Sequence, residues 1–538
     1  MEKDDTGGAG GSPATADKSR VAPLLKLPTE ILTRIAVRLE PHDLFNTRLA
    51  CKRLESAMFP FFTFLFFRQK QFMLTEESLQ ALIDISSHPT LGPAIRHLRI
   101  GFDNYPDLTP NARFRQRANV LAWKQGAADQ NSLICTGRAQ MMLVQALRNL
   151  PDLWSVGVGV FPGIDGLDPA STRIQTSRHL RSYGLNTIKR KTGERLGSHD
   201  EMGFLFKPGF VDTVFCVLLS ALAESGVRPA ILGGNPEFAQ HSAGLSERAF
   251  VIPSFLEPAM VPLLAGVKHL YLGPFFVRGP GITEDEIFQN GAGAAPTTDL
   301  AFSLLQRFLG LLTNLTHLGL DLRRGSPRSC REQFLRWFSG RNSVEFPSLQ
   351  VLSLVGGETQ PEALYGFCTK FPMLESLELN EICLSTHWTG GSGDIVPGLV
   401  WRVFLARFAT AVEGPTALLP RLRAFKISNL AAGRDADEVI LKRVTDPDTD
   451  RFFASWRSGE SCSAADFVRG LAKDAVYTGP EEDLESDFFD DYEEDDPDVI
   501  WDNGPMWGMY DEEDFTDIDD GEEMTGFTVG ILGGSAWW

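Results

Sequence analysis

Seven times along its length the chain repeats one six-residue pattern, apolar-x-x-apolar-x-apolar. The copies are Ile95, Leu98, Ile100; Leu153, Val156, Val158; Val267, Leu270, Leu272; Leu315, Leu318, Leu320; Leu349, Leu352, Leu354; Leu374, Leu377, Leu379; and Leu422, Phe425, Ile427. One match arises by chance in any apolar sequence, whereas a recurring one implies a single supersecondary unit built repeatedly. Side chains of a strand alternate between faces, so the last two apolar residues of each copy point inward and the residue between them outward. Helical spacing precedes several copies: Leu300, Leu304, Leu305, Phe308, Leu309 and Leu312 lead into the fourth, and Ala363, Leu364, Phe367, Cys368 and Phe371 into the sixth. The fold class read from this is α/β, each unit a helix followed by a short strand. First positions fall 58, 114, 48, 34, 25 and 48 residues apart, so long insertions are expected, with a further copy hidden in the 114-residue interval.

Leu-x-x-Leu-x-Leu beside a helix resembles the strand signature of leucine-rich repeats. The resemblance implies an irregular leucine-rich-repeat-like solenoid over residues 68–430, a C-terminal extension of that body over 431–480, and a concave strand face that holds a protein target. Two departures mark the array as degenerate. Only one interval has the length of a regular repeat, and the place of the family's Asn or Cys beyond the last apolar residue is held by Gly357, Ile382 and Leu430. His97, His269 and His317 each stand just before the second apolar residue, hence on the outward face, and are candidate partner-facing residues. No carboxylate spacing accompanies them, so a metal site is not expected.

Charge divides the chain unevenly. Its net charge is −19, yet residues 481–538 hold 22 Asp and Glu and no Lys or Arg, which leaves 48 acidic against 51 basic residues, or +3, before Glu481. The acidic tail, 481–538, is expected to be disordered, because like charges oppose its collapse. A sharper reading has its aromatics, among them Phe488, Tyr492, Trp501 and Trp507, dock in a basic groove. Residues 1–23 carry early acids and no apolar run, which reads as a disordered leader and not a secretory signal. The longest apolar stretches fall short of the roughly 20 residues a membrane helix needs. Seven scattered cysteines without a CxxC pair fit a reducing compartment, cytoplasm or nucleus.

Residues 24–67 form a separate unit. Ile31, Leu32, Ile35 and Leu39 fall on one helical face, Pro41 marks a break, a second helix is expected from Asp43 with Leu44 and Leu49 inward, and a third from Cys51 to about Phe59, before Pro60. Three short helices bury too little apolar area to stand alone. The ordered set Leu27, Pro28, Glu30, Ile31, Leu32, Ile35, Leu39, Asp43, Leu44, Arg48, Cys51, Lys52 and Arg53 closely resembles an F-box, with Ala50 in place of the usual Val. The resemblance implies that these residues, Lys52 excepted, bind the Skp adaptor of cullin-RING ubiquitin ligases, that the chain reaches cullin through it, and that an unknown protein target is received elsewhere. A scaffold that joins the adaptor without delivering a target is the alternative. Phe59, Phe61, Phe62, Phe64, Phe66 and Phe67 are expected to join this unit to the array.

No G-x-S-x-G, G-x-x-x-x-G-K-S/T or H-E-x-x-H motif occurs. GVGVFPG from Gly157 reads as a strand end, DPDTD from Asp446 as a turn, and Arg173, Arg178, Arg181, Lys189, Arg190, Lys191 and Arg195 as a solvated loop whose KRK is a weak nuclear signal. The chain is expected to catalyse nothing itself, to need no cofactor, and to bind neither nucleic acid nor membrane.

Overall fold

The computed structural model describes residues 23–105, 117–159, 182–192, 209–233, 244–274, 298–323, 328–340, 343–385, 397–413, 417–432, 437–441, 453–457 and 462–477. All seven copies of the pattern coincide with strands of one 13-stranded sheet. The strands are β1 Gln69–Phe72, β2 His97–Ile100, β3 Ser155–Val158, β4 Ile231–Gly233, β5 His269–Leu272, β6 His317–Asp321, β7 Val351–Thr359, β8 Ser376–Leu384, β9 Ala424–Ser428, β10 Leu430–Ala432, β11 Asp437–Leu441, β12 Phe453–Arg457 and β13 Ala475–Tyr477. From β1 to β8 they pair in chain order, each parallel to the last. Past β8 the sheet divides. There β9 runs parallel to the first half of β8 and takes β12 antiparallel, while β10 follows the end of β8 and leads through β11 to β13.

Parallel neighbours require a crossover, and helices such as Arg138–Arg148, Phe210–Ser225, Thr298–Gly310 and Pro361–Thr369 supply it. The apolar positions of the seven copies lie in the core. All but the half-buried Val158 are at most 8% exposed. Rings fill the space between helices: Phe215, Phe250 and Phe308 meet at 5.3–6.3 Å, and Phe338 lies 5.1 Å from Phe367 and 5.7 Å from Phe334. These are favourable aromatic separations. Units of unequal length still close on one core because bulky side chains occupy the uneven gaps.

Six of the thirteen strands, β1, β4 and β10 to β13, carry no copy of the pattern. In the 114-residue interval β4 has one inward apolar residue, Leu232, and β1 is Gln-Lys-Gln-Phe, held by pairing with β2. Lys70 of β1 shares the face of Leu98, and burial pushes its ammonium down to about 8.

A level row of left-handed residues crosses the far end of the sheet: Gly356 (φ 66°), Glu381 (φ 56°) and Asn429 (φ 50°). They are flanked by the pairs Val355↔Asn380 and Gly357↔Ile382, and Asn380↔Ser428. Such a residue shifts the in-out alternation by one. Inward positions therefore run Leu377, Leu379, then Ile382, Leu384 in β8, and Phe425, Ile427, then Leu430 across β9 and β10, all nearly fully buried. Gly357, Ile382 and Leu430, the slots lacking the family's Asn or Cys, consequently join the apolar core. Gly356 has no room for a side chain, since a Cβ there would lie 2.7 Å from the Arg323 nitrogen. Arg323 crosses it to pair with Asp321 at 2.9 Å and Glu381 at 3.5 Å.

Expectations for the basic insertion are corrected in part. Lys189, Arg190 and Lys191 sit on a helix, Leu185–Thr192, where a loop was expected, and Lys191 pairs with Glu77 at 2.6 Å. Burial accounts for the helix: Ile188 packs with Met73 and Trp123, and Thr192 is buried with its hydroxyl donating to the Ile188 carbonyl. Arg173, Arg178, Arg181, Arg195, DPDTD, residues 1–22 and the tail 481–538 lie outside the described residues. Among the described residues no helix is long and apolar enough to cross a membrane.

Gly356→Ala is expected to destabilise the fold by about 1–3 kcal/mol in urea denaturation, through backbone strain and the Arg323 clash. Gly310→Ala, whose Cβ meets nothing within 4 Å, is expected to leave stability unchanged or raise it slightly.

Candidate functional site

Three helices form the N-terminal unit: α1 Thr29–Ala36, α2 Pro41–Ala50 and α3 Lys52–Phe67. Pro28 precedes α1 in extended conformation (ψ 151°), and its carbonyl receives the Ile31 and Leu32 amides. Pro41 both ends the first turn region and opens α2, where its missing N–H costs nothing. Cys51 is extended (φ −163°, ψ 156°), so α2 and α3 meet at a sharp corner.

Two sequence expectations fail here. The third helix does not stop before Pro60 but runs through it to Phe67. An internal proline costs about 3 kcal/mol. Burying Phe62, Phe66 and Phe67, each at most 6% exposed, returns about 1.5–3 kcal/mol apiece. Thr63 Oγ1 donates to the Phe59 and Pro60 carbonyls at the site of the disruption. Leu49, expected inward, is 66% exposed, because the side of α2 turned toward α3 carries Leu44, Phe45 and Arg48.

The interior of the unit is Leu32, Ala36, Leu44, Leu54, Met58 and Phe62, all at most 4% exposed. Arg48 lies among them with its guanidinium 3.9 Å over the Phe62 ring, and burial pushes its pKa down. Phe45 packs at 5.3 Å from Phe62 and 4.8 Å from Phe66. Of the residues read as adaptor-binding, Leu32, Leu44 and Arg48 are therefore internal. They hold the bundle and face no solvent.

The remaining members of that set lie on the outside. Pro28, Glu30, Ile31, Asp43 and Arg53 are exposed, and Leu27, Ile35, Leu39 and Cys51 are half-buried. Ile31, Arg34, Ile35, Val37, Arg38 and Leu39 line a shallow groove on α1. Leu24, Ile31 and Val37 remain 37–38% exposed. One side of α1 is thus satisfied by α3, and the other presents aliphatic side chains to water.

A second candidate surface is the outward face of the sheet. Register places Gln69, His97, Ser155, Ile231, His269, His317 and Val351 in one row across β1 to β7. His269 and His317, distant in sequence, are direct neighbours whose rings stack at 3.8 Å and 15°. His97 lies three strands away. Burial, reinforced by Arg68, Arg99 and Arg96, pushes His97 down to about 4. Burial, with the charges of His317 and Lys268, pushes His269 down to about 4, and burial also lowers His317. The stacking had no sequence signal beyond the shared slot. Among the described residues no group of three metal-capable side chains occurs.

These depressed values have a definite sign. An unfolded histidine takes up a proton near 6.5, folded His97 and His269 only near 4 and folded His317 below its ordinary range, so the folded state loses stability as pH falls from 6.5 toward 4. His269→Gln with His317→Gln is expected to flatten the dependence of melting temperature on pH across that window.

No curated protein matches the chain. The F-box domain family matches residues 24–58, the stretch that contains α1, α2 and the first part of α3, so the chain carries an F-box domain at its N-terminal end.

Proposed function

We propose that this chain is the substrate-recognition subunit of a Skp-cullin-F-box ubiquitin ligase, acting in the cytoplasm or nucleus. The F-box domain binds the Skp adaptor through the outer side of α1, and other subunits transfer ubiquitin. The parallel strands in chain order support reading the body as degenerate leucine-rich repeats, with the outward strand face receiving a protein target. His97, His269 and His317 lie in one row of that face and are the residues assigned to target contact.

The observation that carries this reading is the split of α1 into two apolar sides. Leu32 and Ala36 are buried against α3, while Ile31, Ile35, Val37 and Leu39 line an open groove. Covering such side chains is worth roughly 1.5–3 kcal/mol each. A few of them sustain a specific interface once ordering costs are met.

Ile31→Asp with Ile35→Asp is expected to lower adaptor affinity at least about 100-fold in titration calorimetry, corresponding to roughly 3 kcal/mol. Its circular dichroism should be unchanged. Unaltered affinity would remove α1 from the interface. Stabilisation of a co-purifying protein under proteasome inhibition tests the receptor role, and adaptor capture without any stabilised protein contradicts it.

A further inference from the structure

β1 is the terminal strand of the sheet, and its far edge is capped from a distant part of the chain. The Arg96 and His97 amides donate to the Arg68 carbonyl and the Gly101 amide to the Phe72 carbonyl, so these two carbonyls face β2. Successive carbonyls of a strand point to opposite neighbours, which turns that of Gln71 to the far edge. There it accepts the Tyr183 amide at 2.9 Å. Residues 182–192 run on from this bond as a strap, whose helix Leu185–Thr192 brings Ile188 to Met73 and Lys191 to Glu77.

What fastens the strap is small and largely polar. Gln71 Nε2 donates to Ser182 Oγ at 2.7 Å, and Ser182 Oγ donates to the Asp103 carboxylate. Both Gln71 and Ser182 are at most 4% exposed. Holding Asp103 there has a cost, because its burial favours the protonated form and opening would hydrate the carboxylate. At the other end Ile188 packs with Met73 and Trp123, beside half-buried Tyr105 and Leu185, in a cluster separate from the main core. The Lys191 to Glu77 pair, 2.6 Å apart, is exposed, and such pairs contribute little. Tyr183 alone reaches the main core, with its ring 5.9 Å from Phe72.

We infer that residues 182–192 form a strap that releases from β1 as one unit while the rest of the sheet stays folded. Its fastenings are the Ser182 contacts at one end and the Ile188 cluster at the other. A satellite cluster of three buried side chains opens at lower free energy than a continuous core. Release bares the edge of β1, the Gln71 side chain and Gly101, where an added Cβ would lie 2.5 Å from Ser182 Oγ. A target on the outward face then gains this end of the sheet only in the released form. That consequence rests on the proposed receptor role, whereas the release itself does not.

The test is native-state hydrogen exchange of the full chain in urea below its unfolding transition, read by fragmentation mass spectrometry. The Tyr183 and Ile188 amides, bonded to the Gln71 and Gly184 carbonyls, are expected to share one protection factor, at least about tenfold below those of β5 and β6. Their urea dependence should also be weaker, since release exposes little surface. Ile188→Ala should lower the protection of Tyr183 about tenfold, and Ser182→Ala that of Ile188, with β5 and β6 unchanged. Fraying of the short helix alone would free Ile188 and leave Tyr183 protected. Protection of Tyr183 equal to that of β5 and β6 overturns the inference, as does an Ile188→Ala chain in which Tyr183 is unaffected.

Discussion

Everything in this fold depends on one continuous apolar core. It begins at Leu32 in the F-box domain, passes through Met58, Phe62, Phe66 and Phe67 of α3, follows the inward rows of the sheet, and ends at Leu471 and Ala472. Strands in register place Leu98, Val156, Leu232, Leu270, Leu318, Leu352, Leu377 and Phe425 in one row. Each unit is buried by its neighbours and by little else, so no unit is stable apart from the next.

That continuity ties the two surfaces together mechanically. Because α3 does not stop at Pro60, the F-box domain is joined to β1 by helix and not by linker, with Arg48, Phe45 and Phe62 locking α2 onto it. The groove on α1 and the outward strand face are therefore presented at a defined separation. Such an arrangement suits a part that must hold two partners in fixed relation, which is what the proposed receptor role demands.

Much of this was legible in the sequence, for a physical reason. The strand pattern is a direct image of burial, so Leu-x-x-Leu-x-Leu located seven strands, and Leu27 to Arg53 located the F-box domain. Where burial is not written in local periodicity, the sequence was silent. Lys70 hides β1 because a strand paired on a covered edge tolerates a lysine. Pro60 misled because propensity is local, whereas the burial of Phe62 and Phe66 is tertiary. Ile31 and Leu32 look alike in the chain, yet one faces water and the other α3. Only the packing of α1 on α3 separates the outward residues from Leu32, Leu44 and Arg48, which sit inside. The alternation shift at Gly356, Glu381 and Asn429 was equally invisible, although Gly357, Ile382 and Leu430 had marked its place by breaking the expected pattern.

The central claim is that the open aliphatic side of α1 is where the Skp adaptor binds. Hydrogen–deuterium exchange of the full chain with and without the adaptor tests it most directly. The account predicts slowed exchange over α1 and the segment before it, residues 24–39, with the strands β2 to β8 unchanged. Protection confined to the sheet, or none in α1 at saturating adaptor, would contradict it.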